Sequence, residues 1–187
     1  MNIKKFLFLI FLTLPTAAFS YETANYKVVK KISDKVEIRE YQELLLAKIT
    51  VGDASENKSF RSLFKFISGK NDKEQEIKMT TPVFQESAKN QQSMSFIMPA
   101  NFQEKTIPQP DNKNIKIESI KNAQFIVIRF SGRAVDKNFA KYQNILQGII
   151  KENGIGADLK NPIKAYYNPP WTLPFLKRNE VLFLIKS

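Results

Sequence analysis

Apolar and polar positions alternate along the first regular segment of the chain. Val36 and Ile38 alternate with polar residues, a period of two that indicates an antiparallel strand with one buried face. Further apolar runs, bounded by turn residues, predict neighbouring strands. The strands predicted in this part of the chain lie at 27–32, 36–41, 44–51, 83–85 and 93–98.

A stripe of helical period interrupts these strands. Its apolar residues stand at i, i+3, i+4 and i+7, which places them on one face of an amphipathic helix. The Ser-Gly pair at 68–69 supplies a stop signal at the end of that helix. The residues of the stripe are Phe60, Leu63, Phe64 and Ile67.

The second half of the chain repeats this order of elements. A helical stripe ends at Asn153 and Gly154, a pair that favours a left-handed stop. Strand patterns occur both before and after the stripe. The predicted elements are strands at 115–120 and 124–130, a helix at about 137–153, and strands at 163–167 and 181–185.

Apart from one additional strand at the start of the first half, each half therefore has the order strand, strand, helix, strand, strand, and each is too small to bury its sheet alone. We predict one α+β domain, a distorted antiparallel barrel in which two pseudo-symmetric ββαββ halves pair edge to edge. One helix packs over each half, with a cleft near the pseudo-twofold axis. The proline-containing segment 100–114 joins the halves without a domain boundary.

The first twenty residues have the layout of a secretory signal. Two lysines precede an apolar core at 6–14, and small residues follow it. This core is far shorter than the roughly twenty residues that a membrane-spanning helix needs. We predict cleavage before Tyr21, with cleavage after Ala18 as the second choice and an uncleaved amphipathic anchor as the alternative. Residues 21–187 would then form a single exported domain, periplasmic or secreted.

The composition excludes several kinds of chemistry. The 187 residues include no cysteine and no histidine, so thiol, disulfide and imidazole chemistry are absent. No phosphate-binding glycine loop and no hydrolase motif with paired acids occurs. We therefore predict a non-catalytic protein with no metal site, and a small-molecule hydrolase is the alternative.

The chain is strongly basic, with a formal net charge of +11, or about +9 without the two lysines of the signal. Such a surface attracts phosphates, carboxylates, nucleic acid and acidic lipid. The lysines are scattered, and no arginine-rich helix or RNA-binding aromatic signature occurs, so we predict no nucleic-acid partner. A solvated basic surface is the simpler interpretation.

Charged residues on the first strands have equally simple interpretations. Glu37, Arg39 and Glu40 alternate on one strand and are interpreted as a solvated face. Asn71 and Asp72 fit a turn better than a metal site, because no spaced acidic cluster accompanies them.

Four segments occur in an order typical of one family: 36–41 (VEIREY), 69–73 (GKNDK), 79–83 (MTTPV) and 178–181 (RNEV). The set resembles the SOUL haem-binding proteins over essentially all of the chain after the signal. That resemblance implies the barrel with two helices, similar to the effector-binding domains of bacterial multidrug regulators. It also implies tetrapyrrole binding in an apolar groove between the first helix and the loop before the last strand.

The residues of that groove carry suitable chemistry. Trp171 offers a broad face to a flat macrocycle, and Lys177 and Arg178 could meet two propionates at the rim. Alternatively, the loop folds back over the barrel mouth with Trp171 as its plug. The predicted groove residues are Phe60, Leu63, Phe64, Ile67, Tyr167, Trp171, Phe175, Leu176, Lys177 and Arg178.

Without histidine, the commonest axial ligand of haem iron is missing. Candidate ligands are Met79, Met98, Tyr166 and Tyr167, although the methionines fit packing better. We therefore predict haem or another porphyrin as a reversible ligand of a monomeric carrier, scavenger or buffer in the cell envelope.

Two other functions fit the same sequence. The Trp171 loop could dock an envelope protein partner instead of a tetrapyrrole. Glu180, at a place where the regulator-type effector domains often direct an acidic group into the cleft, could serve a drug-binding site or a hydrolase. Its neighbour Arg178 favours a local ion pair instead.

Overall fold

The computed structural model describes residues 21–51, 56–88 and 91–186, and the predicted signal at 1–20 lies outside them. The helices are α1 (Glu56–Ile67) and α2 (Asp136–Glu152), and a 3-10 turn spans Pro174–Leu176. The strands are β1 (Glu22–Thr23), β2 (Lys27–Lys31), β3 (Val36–Val51), β4 (Thr80–Thr81), β5 (Val83–Ala88), β6 (Gln91–Ile97), β7 (Ile115–Phe130), β8 (Ile163–Tyr166) and β9 (Asn179–Leu184).

Six strands close into an antiparallel barrel. Their order is β3, β6, β5, β8, β9 and β7, and β7 pairs back with β3. Strand β2 extends the sheet beside β3, and β1 forms a short parallel pair with β4. The predicted α+β barrel with two helices is therefore confirmed.

Two strands are longer than predicted. Both β3 and β7 run for 16 residues, so the predicted breaks near positions 42–43 and 121–123 are wrong. The polar residues that indicated those breaks face each other across the two strands, as Glu43 does with Lys121. Asn122 adopts a positive φ of 50° and stays within the strand. The second half is thus β7, α2, β8 and β9, one strand fewer than predicted.

The helices cover separate parts of the outer barrel surface. Helix α1 packs on β3 and β6, and α2 packs on β7 and β9. Val83 on β5 packs with the α1 cluster and Tyr166 on β8 with the α2 cluster, and these two residues are cross-strand neighbours. The two outer clusters therefore meet between the helices. A third cluster, rich in Leu, Phe and Tyr, fills the barrel interior.

The turn after α1 is built around one buried side chain. Gly69 ends the helix with a φ of 98°, in the left-handed region that glycine tolerates best. Asn71 then donates to the carbonyls of Phe66 and Gln75 and accepts from two amides of its own turn. The prediction that Asn71 makes this turn is confirmed.

Within the described ranges, no helix has the length and apolarity to cross a membrane.

Candidate functional site

A buried ion pair crosses the barrel interior. Arg39 on β3 donates from Nη1 to Glu180 Oε2 at 2.7 Å and from Nη2 to Oε1 at 2.9 Å. The two side chains are 3% and 0% exposed. The predicted solvated position of Arg39 is therefore wrong. Strand alternation places Arg39 on the same inward face as Tyr41, and its partner lies 141 residues away in the sequence.

Three further groups complete this network. Arg178 donates from Nε to Glu180 Oε1 at 2.9 Å, and Tyr167 donates from its hydroxyl to Oε2 at 2.8 Å. Glu37 accepts from Arg39 Nε at 2.6 Å. The expected ion pair between Glu180 and Arg178 is confirmed. Two guanidinium groups thus face two carboxylates, and the charges balance.

Two cation–aromatic contacts brace the network. The Arg39 guanidinium lies 4.3 Å from the ring centroid of Tyr26, and that of Arg178 lies 3.8 Å from the ring of Tyr167. Tyr26 in turn packs 5.6 Å from Tyr41. Such contacts add stabilisation where the cation is shielded from water. The polar groups and the aromatic rings therefore form one connected network in the barrel interior.

The environment fixes the charge state of each group. Burial alone would raise the pKa of Glu180, but the hydrogen bonds and charge of Arg39, together with Arg178, hold it below its ordinary value. Burial raises the pKa of Tyr41 to about 12, and burial with the nearby Glu180 charge raises that of Tyr167 further. At neutral pH the carboxylate is ionised and the phenols are neutral.

Glu180 has little capacity left for a ligand. A carboxylate offers about four acceptor positions, and here the two arginines and Tyr167 occupy them. A general base needs access to a substrate proton, and a cation site needs an uncompensated charge. The geometry thus disfavours the hydrolase and drug-binding roles considered for Glu180.

The loop between β8 and β9 presents apolar side chains to solvent. It begins at Tyr167, which is buried in the barrel, and returns through Arg178 to the network. Three of its residues are prolines, at positions 169, 170 and 174. The exposed fractions of its large apolar side chains are 81% for Trp171, 56% for Leu173, 70% for Phe175 and 62% for Leu176.

A shallow pocket of about 420 Å³ lies beside this loop. Trp171 and Lys177 line it from the loop, while Arg133 and Val135 line it from the segment before α2. The sequence-based groove did not include that segment. The signal that points to it is Val135, an apolar residue directly before a helix, where Ser, Thr, Asp or Asn is usual.

Helix α1 contributes fewer accessible residues than predicted. Leu63 and Ile67 are buried against the sheet, where they stabilise the core. Phe60 and Phe64 are exposed and stack with ring centroids 6.1 Å apart. The residues that line the Trp171 pocket include none from α1.

The ten predicted groove residues therefore have different roles. Six of them offer accessible surface, three are buried in packing, and Arg178 is engaged with Glu180. A groove that joins α1 to the loop stays a prediction. The accessible residues are Phe60, Phe64, Trp171, Phe175, Leu176 and Lys177.

A second cavity, of about 440 Å³, lies between the N-terminal segment, β3 and the end of β6. Its walls carry three carboxylates and one amine, from Glu22, Glu40, Glu43 and Lys27. This acidic lining would repel an anionic ligand. The cavity is thus unsuited to the propionates of haem.

The sequence model of the SOUL heme-binding protein family matches residues 21–184. The chain belongs to this family. Human Heme-binding protein 2 is 29% identical over 184 residues, which cover 90% of this chain and 78% of the relative. The mouse protein of the same name is 28% identical over 178 residues. The SOUL assignment made from the ordered motifs is therefore confirmed.

A solved structure supports the SOUL barrel at the level of fold. The C-terminal domain of EcmrR matches with a TM-score of 0.61 and 14% identity, over 87% of this chain and 98% of that domain. At this identity the likeness concerns the architecture alone. It agrees with the predicted similarity to effector-binding domains.

Proposed function

We propose that this SOUL protein binds haem or another porphyrin reversibly and acts as a non-catalytic carrier, scavenger or buffer in the cell envelope. The observation that carries the proposal is the exposed Trp171 face, beside Arg133 and Lys177 in one pocket. A flat ring can stack on the indole while its carboxylates meet the two cations.

Val135 supports this assignment. It occupies the N-cap position of α2, and no side-chain hydrogen bond caps the helix. A polar residue there would stabilise the helix, yet the valine is 47% exposed and lines the pocket beside Trp171. Val135 thus supplies apolar surface to the pocket at a position where a polar residue would stabilise the helix better.

Apolar contact should dominate the affinity. Burial of about 400 Å² of macrocycle at about 25 cal/mol per Å² contributes about 10 kcal/mol. Association itself costs about 4–15 kcal/mol. Exposed ion pairs with propionates add only about 0–1 kcal/mol each. The balance favours a reversible ligand over a permanently bound cofactor.

The candidate iron ligands do not fit that role. Met98 is buried in the core, and Met79 packs against the same cluster. Tyrosine ligates as a phenolate, but burial raises the pKa of both Tyr166 and Tyr167, and Tyr167 already donates to Glu180. With histidine absent, the proposal is that binding depends on the ring and its carboxylates and not on the iron.

Titration with hemin and with iron-free protoporphyrin IX tests this proposal. We expect similar affinities for the two ligands, with quenching of Trp171 fluorescence. Trp171→Ala should weaken binding by about tenfold or more, because a large part of the contact is lost. Glu43→Gln, in the acidic cavity, is the matched control and should change nothing. The proposal fails if neither ligand shifts its absorption or quenches Trp171 at micromolar concentrations.

Paired variants distinguish the observed pocket from the predicted groove. Val135→Ser removes apolar surface next to Trp171, whereas Phe64→Ser removes it from α1. Weaker porphyrin binding in the first variant alone places the ligand in the pocket beside α2. Weaker binding in the second alone places it in the groove along α1.

The envelope location rests on the signal pattern of residues 1–20. Cell fractionation followed by mass spectrometry should find a protein that begins at Tyr21 outside the cytoplasm. Recovery of the full-length chain from the cytoplasm would refute this part of the proposal.

A further inference from the structure

We infer that the β8–β9 loop docks the protein onto an anionic lipid bilayer by inserting its apolar tip among the headgroups. The tip consists of Trp171, Leu173, Phe175 and Leu176. This inference goes beyond porphyrin binding and does not rest on it.

The tip is a compact apolar surface. Its four large side chains fall within six consecutive residues, and each is more than half exposed. Phe175 and Leu176 do not line the pocket beside Val135, so a ligand in that pocket would leave them uncovered. Tryptophan in particular favours the boundary between water and hydrocarbon.

Hydrogen bonds hold the loop in this conformation. Gly132 N donates to Pro174 O at 2.9 Å, and Arg178 N donates to Asn168 Oδ1 at 2.7 Å. Lys177 Nζ donates to Pro170 O at 2.9 Å. The apolar side chains are therefore presented by a braced loop, which lowers the entropy lost on docking.

The charges around the tip match an anionic surface. Arg133 and Lys177 line the pocket next to Trp171, and Arg129 is exposed on β7, directly before the Gly132 turn that contacts the loop. Asp136, the acidic residue in the first turn of α2, is paired with a lysine at 2.6 Å. The local cations and the net charge of about +9 for the chain from Tyr21 onward, which is +11 less the two lysines of the signal, should together attract acidic headgroups.

The size of the tip favours lipid over a protein partner. A stable protein interface engages roughly 20–30 residues on each side. Binding at a bilayer surface instead scales with the buried apolar area plus the electrostatic attraction to anionic lipid. One short apolar loop beside basic groups supplies both contributions.

Vesicle sedimentation tests the inference with haem-free protein that begins at Tyr21, where the family match and the described structure both start. We expect binding to phosphatidylglycerol-containing vesicles that is about tenfold or more tighter than binding to phosphatidylcholine alone. The binding should weaken as salt is added. Trp171, the single tryptophan, should shift its emission to the blue and be quenched by brominated acyl chains.

A double variant tests the role of the tip. Phe175→Ser with Leu176→Ser should weaken vesicle binding by about tenfold or more, because two apolar side chains no longer insert. Val29→Ser is the control, since Val29 is an exposed apolar residue on β2, away from the tip. This variant should bind the vesicles as tightly as the wild type does. Circular dichroism checks that both variants are folded.

Each remaining outcome is informative. Vesicle binding without a shift of Trp171 emission would mean that surface charge alone holds the protein, and it would overturn the inference. Equal binding to the two kinds of vesicle, or no binding to either, would also overturn it. Because the assay contains no porphyrin, vesicle binding with failed hemin titrations would refute the proposed function alone. Porphyrin binding without vesicle binding would refute only the bilayer contact.

Discussion

At the scale of single residues, Glu180 connects the side chains of the buried polar network, since Arg39, Arg178 and Tyr167 all donate to its carboxylate. It lies inside the barrel, where an ionised carboxylate is unfavourable unless charge and hydrogen bonds compensate it. Arg39 and Arg178 supply the charge, and Tyr167 supplies a further hydrogen bond. Removing one member leaves its charged neighbours without a partner in the barrel interior. A single substitution should therefore lower the free energy of unfolding by more than the intact network adds to it.

Glu180→Gln tests this expectation. The variant keeps the shape of the side chain but removes the carboxylate that faces the buried Arg39 and the partly buried Arg178, so that Glu37 alone is left to balance them. We expect the free energy of unfolding to fall by about 3–5 kcal/mol, measured by urea denaturation. Asp136→Asn is the control: it breaks the exposed ion pair with Lys164 and should change the free energy of unfolding by no more than about 1 kcal/mol.

The same variant should alter the acid response. The pKa of Glu180 in the folded protein lies below its ordinary value of 4.5, so its contribution is present above that pH and is lost as the pH falls through the folded value. The wild type should therefore lose more stability than Glu180→Gln on acidification below about pH 4.5. Parallel acid unfolding curves would show that this carboxylate does not stabilise the barrel.

At the scale of elements, the start of α2 and the β8–β9 loop form one functional unit. Gly132 donates to Pro174, and Val135 and Trp171 line the same pocket. Val135 at the start of α2 therefore contributes apolar surface to the pocket but gives the helix no N-terminal cap. Stability and binding should respond to this position with opposite signs.

Val135→Ser should show these opposite responses. A serine hydroxyl can accept from a backbone amide of the first turn, where no side chain accepts at present, and this should raise the free energy of unfolding by about 0.5–2 kcal/mol. The same change removes apolar surface beside Trp171, so porphyrin affinity should fall. Ile145→Ser, an exposed position inside α2, is the control and should give no capping gain. Lower stability in Val135→Ser would rule out the capping argument.

At the scale of the whole molecule, the sequence predicted the architecture better than the site. Periodicity located both helices to within a few residues, since Gly69 and Asn153 mark their ends. Periodicity did not reveal that β3 and β7 are continuous. Glu43 and Lys121 are polar because they lie on the exposed face of the paired strands, and neither forms a turn. Local pattern also carries no information on long-range partners, so Arg39 could not be assigned to the interior without Glu180.

The position of the last strand has a consequence for the timing of assembly. Strand β9 lies between β8 and β7, so the barrel stays open until residues 179–184 are available. Such non-local pairing makes folding slow, on the order of milliseconds to seconds. Stopped-flow refolding should fall in that range, and a chain that ends before Asn179 should unfold without a cooperative transition. During synthesis, nearly the whole polypeptide would therefore leave the ribosome before the barrel could close.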